Sequence, residues 1–257
     1  MSRFLAIAVA VLLLAAGTAA PCGASPRVAA ASDLRFALEE IASRYARKAG
    51  GAVRITYGSS GNFRRQIAEG APFELFLSAD ESYVLALARE GRLEDEGVLY
   101  ASGRLVLFAP QGSRVDAAGG LPALAHFLQG GGTGKVAIAH PDHAPYGRAA
   151  REALRHAGLW EGLQGRLVLG ENVSQAAQFA TSGNAVAGIF AYSLTFSPAV
   201  ASRGRFALIP EQAHAPLRQR MALVKGAGRE ARAFFHFLQG AEARAVFSRH
   251  GFALPER

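Results

Sequence analysis

The chain of 257 residues holds one cysteine, Cys22, and only three lysines among its 28 basic residues. A lone cysteine excludes an intrachain disulfide and any metal site built on several thiolates. Beyond Ala24 no apolar run approaches the ~20 residues that a membrane helix needs. The net charge of +8 comes without a Lys/Arg run or an aromatic-basic stripe. Cations are dispersed among Asp and Glu, so nucleic-acid binding is not expected, and the charge serves a soluble exterior that draws anions. His140 and His143 flank a Pro-Asp turn without a third ligand, so no metal site is expected there. No histidine–carboxylate cluster points to a catalytic triad.

Two motifs fail on inspection. Gly130-Gly131-Gly132-Thr133-Gly134-Lys135 has Gln129 and Val136 where a phosphate loop needs Gly and Ser/Thr, and it precedes a strand instead of following one. Gly58-Ser59-Ser60-Gly61 lacks the second glycine of a nucleophile elbow, because Asn62 stands there.

What is present is half hydrophobic, with 29 Gly and 11 Pro to punctuate it. Arg3, the apolar run Phe4–Ala16 and the small residues after it have the form of a secretory signal peptide, expected over residues 1–24. Cys22 lies inside that segment, but Pro21 and Ala19 depart from the lipoprotein pattern, so no lipid anchor is expected. From Val28 onward strands and helices alternate, which predicts an α/β fold of mostly parallel sheets. Leu34, Leu38, Ile41 and Tyr45 fall at helical spacing, with Ser32 placed to cap that helix. Strands are predicted at Val28–Ala31, Val53–Tyr57, Glu74–Leu77, Leu105–Ala109, Val136–Ala139, Leu167–Leu169, Val186–Ala191, Ala207–Ile209 and Arg220–Val224. The pattern divides into residues 26–104 plus 218–257 as one lobe and 105–217 as a second, joined by two crossing segments around a cleft.

One local design recurs four times. The runs Val28–Ala31, Arg54–Tyr57, Val136–Ala139 and Arg166–Leu169 lead into Ser32, Ser59-Ser60-Gly61, Pro145-Tyr146-Gly147 and Asn172-Val173-Ser174, and a helix starts at each. A strand end feeding a helix start presents free backbone N–H groups, the physical recipe for an anion site. At carboxyl ends of parallel strands these turns would converge on one cleft. Taken singly, each serine is equally an ordinary helix cap.

Several segments, in order, resemble one family. They are Ala29-Ala30-Ala31-Ser32, Gly58-Ser59-Ser60-Gly61, Gly70-Ala71-Pro72 with Leu77-Ser78-Ala79-Asp80, His140-Pro141 with Ala144-Pro145-Tyr146-Gly147, Glu171-Asn172-Val173, and His250-Gly251-Phe252. From Arg27 to the C-terminus the chain resembles the periplasmic molybdate/tungstate-binding proteins of ABC importers. The resemblance implies a two-lobed periplasmic-binding-protein fold of type II, each lobe a mostly parallel sheet flanked by helices, with the ligand in the cleft. It implies hydroxyl ligands at Ser32 and Ser60, and backbone N–H donors at Ser32 or Asp33, Ser60 or Gly61, Tyr146 and Val173. Some members use a tyrosine just after a late strand; here Ala191 holds that place and Tyr192 follows. Whether Tyr192 contributes stays open, with Tyr146 as its candidate substitute.

The resemblance further implies a monomeric, periplasmic binding protein, not an enzyme. It would need no cofactor, hold its metal only inside the oxyanion, and deliver molybdate or tungstate to an inner-membrane ABC permease. Asp33 is expected to be an outward-facing acid of the first helical turn, favoured there by the helix dipole. The alternative is a carboxylate that accepts a proton from the ligand, which would select phosphate or arsenate. Rival readings are a binder of sulfate, thiosulfate or phosphate, a ferric-ion binder using clustered tyrosines, and a hydrolase using Ser60.

Overall fold

The structure is a computed structural model that describes residues 25–49 and 51–256. The expected signal peptide, Cys22 with it, lies outside the described residues. The first sheet is built from β1 (Arg27–Ala31), β2 (Arg54–Gly58), β3 (Leu75–Ser78), β4 (Val98–Gly103) and β10 (Leu217–Leu223), in the order β2-β1-β3-β10-β4. The second holds β5 (Leu105–Pro110), β6 (Val136–Ala139), β7 (Leu167–Gly170), β8 (Ala187–Ala191) and β9 (Gly204–Leu208), in the order β7-β6-β8-β5-β9.

The two sheets follow one plan. In the first, β1, β2 and β3 are parallel, and β10 pairs antiparallel with both β3 and β4. In the second, β6, β7 and β8 are parallel, and β5 pairs antiparallel with both β8 and β9. Four strands of each sheet therefore run one way, and the reversed strand is the fourth in each order. That strand is the one by which the chain arrives from the other sheet. The chain crosses at Arg104 and returns between Leu208 and Leu217, so Leu217 already belongs to the first sheet.

Helices link the parallel strands. They are α1 (Arg35–Ala49), α2 (Ser60–Ala68), α3 (Glu81–Arg89), α4 (Gly120–Gln129), α5 (Pro145–His156), α6 (Val173–Thr181) and the short α7 (Pro198–Ala201), followed by α8 (Arg229–Gln239) and α9 (Ala241–Arg249). Among the described residues no helix is long and apolar enough to cross a membrane. Apolar residues of α1 spaced three and four apart, Leu38, Ile41 and Tyr45, are buried, as the amphipathic spacing requires. Tyr45 packs edge-on against Phe234 and Phe237 of α8, which ties the C-terminal helices back to the first sheet.

Local differences from the sequence reading have physical causes. Residues Ser32–Leu34 form a 3-10 turn ahead of α1, and no side chain caps it; Ser32 is not a helix cap, because its hydroxyl is engaged across the cleft. Strand β4, mixed in polarity over VLYASG, has no clean period of two to announce it. α5 starts at Pro145, since proline at a first helical position leaves no N–H unpaired.

Candidate functional site

The ends of β1, β2 and β3 and the starts of α2, α5 and α6 meet between the sheets around a small cavity. Ala31, Ser32, Asp33, Ser59, Ser60, Ala79, Pro145, Tyr146 and Val173 are among its lining residues. The alanine-rich strand ends keep it small, and among the described residues no lysine, arginine or histidine lines it. Among the described residues there is no group of three His, Cys, Asp or Glu able to hold a bare metal ion.

Ser60 and Ser32 are set up alike. Ser60, fully buried, accepts a 3.0 Å hydrogen bond at Oγ from the Ala79 amide. Ser32 Oγ accepts from the Ser174 amide at 3.3 Å, and the Ser174 hydroxyl returns a 2.9 Å bond to the Ser32 carbonyl. A hydroxyl has one proton to donate and lone pairs to accept with. With a backbone N–H on the oxygen, the proton is the part left to face the cavity. First-turn amides add to this. Ser60, Tyr146 and Val173 stand at the starts of α2, α5 and α6, where N–H groups have no intrahelical acceptor. The side-chain caps of α2 and α6 serve Asn62 and Gln175 instead.

Asp33 corrects the sequence reading. It faces inward, 1 % exposed, and lines the cavity. Its Oδ2 accepts from the Tyr146 hydroxyl at 3.0 Å and from Gln219 Nε2 at 2.6 Å. Gln219 Oε1 in turn accepts from the Tyr100 hydroxyl at 2.8 Å. Asp33 Oδ1 has no partner among the described residues. Burial pushes this carboxyl from 3.8 up to about 6, against the opposing pull of Gln219, Tyr146 and the amides of Asp33 and Leu34. Burial also lifts the Tyr146 and Tyr100 phenols well above their ordinary range, with the nearby Asp33 adding to it. The partners lie on β4, α5 and β10, remote in sequence, so nothing local to Asp33 announced its inward pose. Gly103 makes room for it: a Cβ there would come within 2.1 Å of the Tyr146 hydroxyl.

Gly61 is a second correction. Its amide donates to the His143 carbonyl at 2.9 Å across the cleft and is therefore engaged by protein. A Cβ on Gly61 would sit 2.5 Å from that oxygen, so glycine permits the close approach of the two sides. Around it, Ser59 Oγ meets His143 Nδ1 at 3.0 Å, Asn62 bonds Glu171, and Arg148 pairs with Asp80. The cleft is closed by direct contacts. Tyr192 stands apart from the cavity, its ring under Arg104 at 4.7 Å and against Phe196. Of the residues predicted from sequence, the structure brings Ser32, Asp33, Ser60, Tyr146 and Val173 together. Sequence reasoning missed Ala79, Ser174, Gln219 and Tyr100. Ser174 and Ala79 sat inside motifs already singled out, whereas Gln219, between two arginines on β10, carried no signal.

Comparison with known proteins agrees with this architecture. The sequence profile of the family described as "bacterial extracellular solute-binding protein" matches residues 26–253. The molybdate-binding protein ModA of Rhodobacter capsulatus is 36% identical over 247 residues, covering 94% of this chain and 93% of its own length. ModA of Escherichia coli is 31% identical, covering 88% of each chain. The solved periplasmic molybdate-binding protein of Azotobacter vinelandii superposes with a TM-score of 0.82 at 32% identity, covering 90% of this chain and 100% of its own.

Proposed function

This chain belongs to the bacterial extracellular solute-binding proteins, and from that membership and its cavity we propose that it captures molybdate or tungstate outside the cytoplasm for an ABC importer. The observation that carries the ligand class is the pair of buried hydroxyls, Ser32 and Ser60, each with its oxygen held by a backbone amide and its proton left to donate. Beside them stand the amides of Ser60, Tyr146 and Val173 in a cavity without a cation.

Such a site suits a small tetrahedral dianion. Stripping water from an anion is costly unless every oxygen finds a donor. Charge-assisted hydrogen bonds of roughly 1.5–3 kcal/mol each offset that cost. Fixed neutral donors also discriminate by size, because donors spaced for the longer metal–oxygen bonds of molybdate or tungstate hold sulfate loosely. The anion itself carries the metal, so no resident cofactor is needed.

The same contacts that seal the cleft give the bound form its shape. Gly61, His143, Asp80 and Arg148 bring the two sides together, and the closed face is what an inner-membrane permease would read. We assign residues 26–104 with 217–257 to one lobe and 105–216 to the other, the protein acting as an exported monomer. Capture needs no chemistry. Ser60 Oγ is engaged by an amide and meets no histidine, while His143 bonds Ser59, whose hydroxyl also caps α2. Alternative oxyanions such as sulfate, thiosulfate and phosphate remain as competitors to be measured.

Isothermal titration with molybdate, followed by sulfate and phosphate in excess, tests the reading. One-to-one molybdate binding that sulfate fails to displace is the expected result. Heat with sulfate or phosphate and none with molybdate would overturn the ligand assignment.

A further inference from the structure

We propose that the chain takes up one proton with each oxyanion it binds, and that the Asp33 carboxyl carries it. This rests on the oxyanion reading above and deepens it, because Asp33 then sets the charge of the site.

Geometry carries the inference. Asp33 lines the cavity itself and is almost fully buried. Oδ2 is committed to Tyr146 and Gln219, while Oδ1 has no protein partner among the described residues. Among the described residues no cation offsets the carboxylate. Arg35, next but one in sequence, lies over the Tyr57 ring, and Arg148 pairs with Asp80. The titratable groups that face Asp33 are the Tyr100 and Tyr146 phenols, from β4 and α5, and both are held in their neutral form. α1, α6 and the turn Tyr192–Phe196 pack nearby, and of these the last contributes the neutral Ser193 hydroxyl, 2.8 Å from the Asp33 carbonyl.

An ionised Asp33 and a dianion would thus share one small cavity with no positive charge between them. Like charges in one site push a proton onto the weaker acid. At neutral pH molybdate is the stronger acid's conjugate base, so the proton goes to the carboxylate. It comes from solvent and binds Oδ1, the oxygen without a hydrogen-bond partner among the described residues. Oδ2 goes on accepting from Tyr146 and Gln219. Protonated Oδ1 changes from a lone pair that repels an oxo group into one more neutral donor. Burial already holds the free carboxyl at about 6, so the protein is largely ionised at pH 7 to 8 and has a proton to gain there.

The experiment is titration of the purified protein with sodium molybdate between pH 7 and 8.5, in buffers of different ionisation enthalpy. The expected result is uptake of close to one proton per molybdate and an affinity that falls nearly tenfold per pH unit. Asp33→Asn should bind with no proton uptake and with an affinity flat in pH. Infrared difference spectra of the unaltered protein give a readout that needs no variant: the carbonyl stretch of a protonated carboxyl should appear on adding molybdate. Molybdate binding without proton uptake, and without that band, overturns this inference while leaving the functional reading standing. No molybdate binding at any pH overturns the functional reading and this inference with it.

Discussion

The Tyr146 hydroxyl reaches Asp33 Oδ2 at 3.0 Å across the cleft, joining residues 113 positions apart. Tyr146 lies in the first turn of α5 on the second sheet's side, and Asp33 follows β1 of the first. One residue thus lines the cavity and fastens its own helix start to the opposite side. Tyr146→Phe keeps the ring and the amide but removes the fastening. Losing this bond should weaken molybdate binding by about 1–2 kcal/mol, roughly 5- to 30-fold, mostly through faster release. Stopped-flow dissociation checks it; an unchanged release rate would show that the hydroxyl does not hold the cleft shut.

Ser60→Ala and Ser32→Ala each remove a hydroxyl donor. Each should cost about 1–3 kcal/mol, or roughly 5- to 150-fold in molybdate affinity by calorimetry. Ser60→Ala also strands the buried Ala79 amide, which bonds Ser60 Oγ at 3.0 Å. It should therefore lower thermal stability more than Ser32→Ala, whose partner Ser174 lies across the cleft. Wild-type affinity in both variants would remove these residues from the site.

Gly61→Ala tests closure without touching a donor. Its Cβ would meet the His143 carbonyl at 2.5 Å, and backbone against backbone cannot swing aside. The two sides should be held apart, with at least a tenfold loss of affinity and little change in melting temperature. Small-angle scattering should report a larger radius of gyration for the variant with molybdate than for the parent.

Asp33 makes stability depend on pH in a defined direction. Its folded value, about 6, stands above the ordinary 3.8, so the unfolded chain ionises first. The stability this group contributes is fully present below pH 3.8 and is lost as pH rises through about 6. A rise of this size corresponds to roughly 3 kcal/mol. Without ligand, Asp33→Asn should therefore be more stable than the parent at pH 7 to 8, and the gap should close toward pH 4. Denaturant unfolding at both ends of that range measures it; a gap independent of pH would contradict the assignment.

Much of the fold was legible in the chain. Alternating apolar runs and amphipathic helices, such as Val28–Ala31 followed by Leu38, Ile41 and Tyr45, announce a mostly parallel α/β architecture because period and burial are local consequences of the backbone. Strand β4 escaped that reading because VLYASG has no regular period. The strand ends with Ser32, Ser60, Tyr146 and Val173 could be found because hydroxyls and helix starts are written in consecutive residues.

The sequence by itself determined the two-sheet design, the serines and the helix starts, since each depends on residues within one turn or one strand of one another. Only the tertiary structure decided where Asp33 points, which amide Gly61 gives up to His143, and that Tyr192 stays outside the cavity. The pose of Asp33 depends on Gln219, Tyr100 and Gly103, which lie near the site only once β4 and β10 pair. Gly61 answers to His143 across the cleft, and Tyr192 to Arg104 and Phe196. The energy that turns a carboxylate inward or lets two backbones touch resides in contacts between distant segments, and no local pattern records it.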